Sequence, residues 1–132
     1  MRDVVYIDGS KETPSVIFDK VNNKFEIKGK SLPEDVNEFY QGVIQWLRDY
    51  AKEPNPETLF TINLEYYNSA SVRKIVDILV VLENIYRAGN KVLIRWMFDE
   101  SDEMMGENGE DFKATVDVPF EIVPYKPIKQ GK

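Results

Sequence analysis

Two stretches of alternating polarity flank a helix that is apolar around most of its circumference. From Leu59 to Tyr67, the side chains of Phe60, Ile62, Leu64 and Tyr66 fall on one face, and Thr61, Asn63 and Glu65 on the other. Lys91 to Phe98 repeats the pattern, with Val92, Ile94, Trp96 and Phe98 opposite Lys91 and Arg95. A strand buried on both faces would read as continuously apolar. These alternate, so the sheet is predicted to carry helices on one face and to be largely open on the other. Between them a helix runs from about Ser69 to Ala88 and ends at Gly89-Asn90. Strand, helix and strand in this order imply a right-handed parallel crossover.

Upstream, Val4, Tyr6 and Ile7 precede a polar turn at Asp8-Gly9-Ser10. Strands at Ser15–Asp19 and Lys24–Lys28 flank Asn22-Asn23, a hairpin turn. Ser31 and Glu34 have capping-box spacing, with Pro33 tolerated in a first turn. Val36, Phe39, Tyr40, Val43, Leu47 and Tyr50 then recur at helical spacing, so a helix is predicted to about Lys52, where Glu53-Pro54-Asn55-Pro56 stops it. Asp99 to Gly109 is acidic, holds two glycines and reads as a mobile loop. Glu110 to Val116 reads as a short helix and Pro119 to Val123 as a last strand. The predicted fold class is α/β: one two-layer domain over residues 1–125, a mixed β-sheet with helices packed mainly on one face, followed by a disordered tail at 126–132.

On a helical wheel, Val72, Ile75, Leu79, Leu82 and Tyr86 form the face expected against the sheet. Ile78, Val81 and Ile85 widen it on one shoulder, and Val76 and Val80 on the other. The polar remainder is narrow: Arg73, Asp77, Asn84 and Arg87. A surface helix needs an apolar stripe only somewhat wider than about 100°. The surplus either packs against the first helix or leaves one shoulder exposed for a partner. On the first helix, Trp46 lies off the core centre beside Phe39, as interface or as core edge.

Composition removes whole classes of function. The 132 residues include no cysteine, hence no disulfide, thiolate or zinc–sulfur chemistry, and no histidine, hence no Ser-His-Asp triad. A net charge of -6 argues against nucleic acid, whose phosphates need clustered Lys and Arg. No apolar run reaches membrane-spanning length and the start is unlike a signal peptide, so no membrane partner and a cytoplasmic setting are expected. Asp99-Glu100-Ser101-Asp102-Glu103 fails the calcium-loop pattern, because Met104 stands where a glycine is needed. No glycine-rich phosphate loop is present. The expectation is a protein without catalytic residues, metal or cofactor.

What remains is the junction Asn68-Ser69-Ala70-Ser71, where a buried strand passes into a buried helix. The helix start offers free backbone N–H groups and partial positive charge, which favour an anion such as a phosphorylated hydroxyl. Asn and Ser are also favoured here for capping alone, and Asn68, Ser69 and Ser71 are all candidates. Arg73 and Lys74 follow within a turn, able to hold a phosphate or simply solvated.

Leu32-Pro33-Glu34, Val43-Ile44-Gln45-Trp46-Leu47, Leu64 to Ser71, Val92 to Asp99 and Glu110-Asp111-Phe112-Lys113 before Pro119-Phe120 occur in an order that resembles the SiaC family of bacterial regulatory phosphoproteins, with a STAS-like (anti-sigma-factor antagonist) architecture. The likeness spans nearly the whole chain. It implies that the residue after the junction Asn, commonly threonine and here Ser69, is the phosphoacceptor, with Ser71 the alternative because Ala70 carries no hydroxyl. It implies a serine/threonine kinase, a metal-dependent phosphatase and an effector, a diguanylate cyclase in the best-known arrangement, activated by the unphosphorylated form. The partner surface is then expected at Asn68, Ala70, Ser71, Arg73 and Lys74, extending to Ile78 or Val81. The rivals are a small-molecule or enzymatic domain using Thr61, Asn63, Glu65, Lys91 and Arg95 on the open sheet face, and a scaffold that is never phosphorylated.

Overall fold

In the computed structural model, which describes residues 4–127, one six-stranded sheet runs in sequence order from edge to edge. β1 (Val4–Ile7), β2 (Ser15–Asp19) and β3 (Lys24–Ser31) form an antiparallel meander. β4 (Glu57–Tyr67), β5 (Lys91–Asp99) and β6 (Phe120–Tyr125) continue it in parallel with β3. Parallel neighbours need long crossovers, and these are α1 (Val36–Tyr50), α2 (Ser69–Arg87) and α3 (Glu103–Thr115). The mixed α/β sheet with helices on one face is the predicted one. The segment expected to be a tail lies outside the described residues from Ile128 onward. Among the described residues no helix is long and apolar enough to cross a membrane.

Alternation places Phe18, Phe25, Phe60, Ile62, Ile94 and Trp96 under the helices. Trp46 of α1 completes this core. Its ring stacks on Tyr50 at 5.6 Å and lies 5.4 Å from Phe18, and it is only 6 % exposed. It is a core residue, whereas Phe39 stays half-buried. Full burial of each such side chain is worth about 1.5–3 kcal/mol.

Four local expectations change. First, α1 begins at Asp35, which accepts the Glu38 N–H at 3.0 Å. Ser31 is instead the buried last residue of β3. Second, the β3–β4 register shifts after Gly29, so that Gly29 pairs with Leu64 but Lys30 pairs with Tyr66. This bulge flips the alternation: Tyr66 is 54 % exposed and Tyr67 turns inward against Trp96 and Phe112. Third, Val72 and Tyr86 are exposed, because the buried line of α2 runs through Ile75, Ile78, Leu82 and Ile85.

The fourth is α3, which occupies most of the expected mobile loop. Asp102 caps it, accepting the Met105 N–H at 3.1 Å. Its glycines are contact residues. A Cβ on Gly106 would stand 2.8 Å from Phe98 Cε2, and one on Gly109 would stand 2.7 Å from Trp96 Nε1. They let the helix backbone settle onto β5, where the Trp96 indole N–H donates to the Met105 carbonyl at 3.0 Å.

Candidate functional site

The β4–α2 junction is built on hydrogen bonds that cross three elements. Asn68 is extended (φ -89°, ψ 169°) and its N–H donates to the Ser31 carbonyl at 3.0 Å, prolonging the sheet by one residue. Its side-chain oxygen accepts the Ser71 N–H at 3.0 Å. Asn68 is therefore the helix cap, the role its residue type favours. Ser71 Oγ lies 2.8 Å from that same Asn68 oxygen and 3.0 Å from the Ser31 carbonyl. Ser31 Oγ bonds Ser71 Oγ at 2.9 Å and Tyr40 Oη at 2.5 Å. Burial pushes the Tyr40 hydroxyl above the ordinary tyrosine value, partly offset by its Ser31 bond. The starts of α1 and α2 are thus joined through buried hydroxyls that all have partners. Neither Ser31 nor Tyr40 was legible as part of this site. Ser31 looked like a cap and Tyr40 like one more apolar-face aromatic.

Ser69 is the first residue of α2, one past the cap. It is exposed, and its hydroxyl makes no hydrogen bond among the described residues. The first-turn N–H groups of Ser69 and Ala70 have no carbonyl within the helix to receive them. Ala70 is exposed as well. Ser71, the alternative acceptor, is 0 % exposed with a hydroxyl fixed in the network, so a modifying enzyme reaches it only if the helix start opens.

The surrounding charges differ from expectation in one respect. Arg73 follows Ser69 by four residues, about 40° further round the helix, and points to solvent with its Nε 3.3 Å from Asp77 Oδ1. Lys74 is about 140° round and lies between α1 and α2, in a depression shared with Gln41, Gln45 and Arg48. It is off the Ser69 side of the helix.

The apolar shoulder at Ile78 and Val81 is also corrected. They are 1 % and 6 % exposed, because α1 packs on that side of α2. The exposed shoulder is the opposite one. Val72 and Val80 are exposed and Val76 is half-buried. Their spacing continues from Ser69 at i+3, i+7 and i+11, so one outward ridge runs down the helix from the serine.

Two residues before Ser69, Tyr67 turns under α3. Its hydroxyl is pushed up to about 12, first by burial and then by the Asp111 carboxylate.

The open sheet face does not gather its polar residues into one site. Arg95 pairs with Glu121 at 3.1 Å. The Tyr125 hydroxyl donates to Asn63 Oδ1 at 3.1 Å, in an open depression of about 840 Å³ that also holds Lys28, Glu65 and Asp99. Burial raises the Tyr125 hydroxyl, as do Asp99 and Glu65, against the Asn63 bond. Lys91 borders a different hollow with Leu59 and Leu93.

The model of the SiaC family regulatory phosphoprotein matches residues 7–125. An uncharacterised protein of Pseudomonas aeruginosa strain UCBPP-PA14 is 29% identical over 118 residues, 89% of this chain and 94% of that protein. The crystal structure of apo-SiaC from Pseudomonas aeruginosa superimposes with a TM-score of 0.85 at 27% identity, covering 92% of this chain and 99% of that one. A crystal structure of the diguanylate cyclase SiaD in complex with its activator SiaC, from the same species, gives 0.87 at 28% identity, with the same coverage. With the family model spanning nearly all of the sheet and its three helices, this chain belongs to the SiaC family of regulatory phosphoproteins.

Proposed function

We propose that the chain is a non-enzymatic switch whose Ser69 is phosphorylated by a serine/threonine kinase and released by a metal-dependent phosphatase, the unphosphorylated form binding and activating a diguanylate cyclase. The observation that carries this reading is the division of labour at the junction: Asn68 does the capping, so the Ser69 hydroxyl is exposed and uncommitted. The relative solved with its cyclase supports the choice of effector.

Phosphorylation adds about -1.5 to -2 charges. Within the chain the change is tolerated, because the phosphate lies at the positive end of α2, beside the free N–H groups of its first turn. Arg73 is one turn away and gives up only a solvent-exposed pair with Asp77 to reach it; such pairs are worth about 0–1 kcal/mol. A partner seated on the Val72–Val76–Val80 ridge meets the same phosphate as an unpaired charge at a drying interface. Binding is then controlled by occlusion, with no refolding.

The test is phosphopeptide mapping after incubation with the cognate kinase. Modification is expected on Ser69. Modification of Ser71 or Thr61 with Ser69 untouched would sink the assignment.

A further inference from the structure

Where β3 gives way to α1, the loop that follows β1 is fastened alongside, the Leu32 N–H donating to the Glu12 carbonyl at 2.8 Å. Between loop and helix lies a groove of about 940 Å³. Ile7, Pro33, Val36 and Phe39 give it an apolar floor. Glu34, Asp35 and Glu38, all exposed, give it an acidic rim, and among the described residues no lysine or arginine lines it.

The helix start explains part of this. Asp35 is the cap, and Glu38 in the first turn is favoured by the helix dipole. Glu34, just before the cap, shares the favourable end of the helix dipole but makes no hydrogen bond or ion pair among the described residues. Phe39 packs at the edge of the core, its ring meeting Tyr40 edge-on at 4.9 Å, and stays partly exposed to the groove while Tyr40 is fully buried. Among the described residues ion pairs form only at Asp49, Asp77, Glu83 and Glu121, so the three rim carboxylates, like the other described carboxylates, have no Lys or Arg partner. An aromatic floor under unpaired carboxylates is complementary to an apolar side chain flanked by cations, and an arginine laid over Phe39 adds a cation–π contact.

We infer that this groove is a second docking surface, distinct from the α2 ridge, and that it takes a cationic amphipathic segment of a partner protein. Its apolar residue covers Phe39 and Val36, and its lysines or arginines face Glu34 and Glu38. The surface lies at the same end of the sheet as Ser69, since Ser31 hydrogen-bonds both Tyr40 of α1 and Ser71 of α2. The inference is independent of whether Ser69 is modified.

The experiment uses the full chain and, as probe, a short fluorescein-labelled helical peptide of leucine and lysine in amphipathic order. A peptide of the same composition, scrambled to destroy the pattern, is the control. Fluorescence anisotropy in physiological salt should show the ordered peptide binding better than the scrambled one. Phe39→Ala and the double change Glu34→Lys/Glu38→Lys should each weaken it about tenfold. Glu100→Lys/Glu107→Lys, the same charge change on the α3 side, should leave it unaltered. The inference is overturned if the ordered peptide does not bind, if the groove variants bind like wild type, or if the α3-side control weakens binding equally, which would mean diffuse charge attraction. Should Phe39→Ala not fold, the charge reversals decide alone, because Glu34 and Glu38 are exposed.

Discussion

Replacing Asn68 and Ser69 separately by alanine should affect stability and regulation in opposite ways. Asn68→Ala removes the acceptor of the Ser71 N–H, a cap loss worth about 1 kcal/mol. It also removes a partner of the buried Ser71 hydroxyl, worth about another 1 kcal/mol. That hydroxyl keeps the Ser31 carbonyl at 3.0 Å, so no buried group is orphaned and the total stays near ~2 kcal/mol. For a chain of 132 residues this lowers Tm by roughly 6–10 °C. Ser69→Ala takes away an exposed hydroxyl without partners and should change stability by less than about 0.5 kcal/mol, while leaving the effector-binding form permanently on. Thermal melting by circular dichroism, followed by cyclase pull-down in the presence of kinase and ATP, reads both effects. If Ser69→Ala melts as low as Asn68→Ala, Ser69 is the cap and the division of labour is wrong. If it melts like wild type yet no longer binds the cyclase, the hydroxyl itself is an interface contact and occlusion is not the mechanism.

Val80→Glu, at an exposed position of the ridge, should weaken cyclase binding at least about tenfold, whereas Lys28→Glu on the open sheet face should not; the reverse result in a titration of the two variants would move the interface to the sheet. Gly109→Ala should lower the urea midpoint, because crowding Trp96 costs about 1–3 kcal/mol against a helix-propensity gain of about 1 kcal/mol; Gly106→Ala should cost less, since only the edge of the half-buried Phe98 ring has to move. The Tyr67 hydroxyl titrates near 12 in the fold and near 10 when unfolded, so its stabilising effect is complete below pH 10 and is lost as pH rises towards 12. Tyr67→Phe should flatten the fall in urea stability across that window, and an unchanged slope would show that Tyr67 ionises normally.

Periodicity reached as far as neighbours along the chain could carry it. The limits of α2 and the pairing of β4 with β5 followed from alternation and helical spacing alone. The start of α1 did not, because Ser31-x-x-Glu34 and Asp35-x-x-Glu38 satisfy the same capping rule. The choice was made by Tyr40 and Ser71, which recruit the Ser31 hydroxyl into the interior. Gly106 and Gly109 argued for a loop on local propensity, yet they are the reason α3 can approach Trp96 and Phe98. Tyr66 kept a perfect alternation in the sequence and lost it in the sheet, since a bulge depends on the partner strand's register.

The same distinction separates the serine from the surface around it. Ser69 is marked by what is adjacent in sequence: a strand end, an Asn able to cap, and an apolar helix beyond. The proposed docking ridge is not marked this way. On a wheel, the Ile78–Val81 and Val76–Val80 shoulders flank the core line almost symmetrically, and either could have been the exposed one. The position of α1 breaks the symmetry, covering the first shoulder and leaving the second in line with Ser69. That alignment is what makes control by a single phosphate physically reasonable. On the proposed mechanism the charge would enter at the head of the apolar strip a partner would dry, at the end of α2 where the helix dipole spares the fold itself from destabilisation.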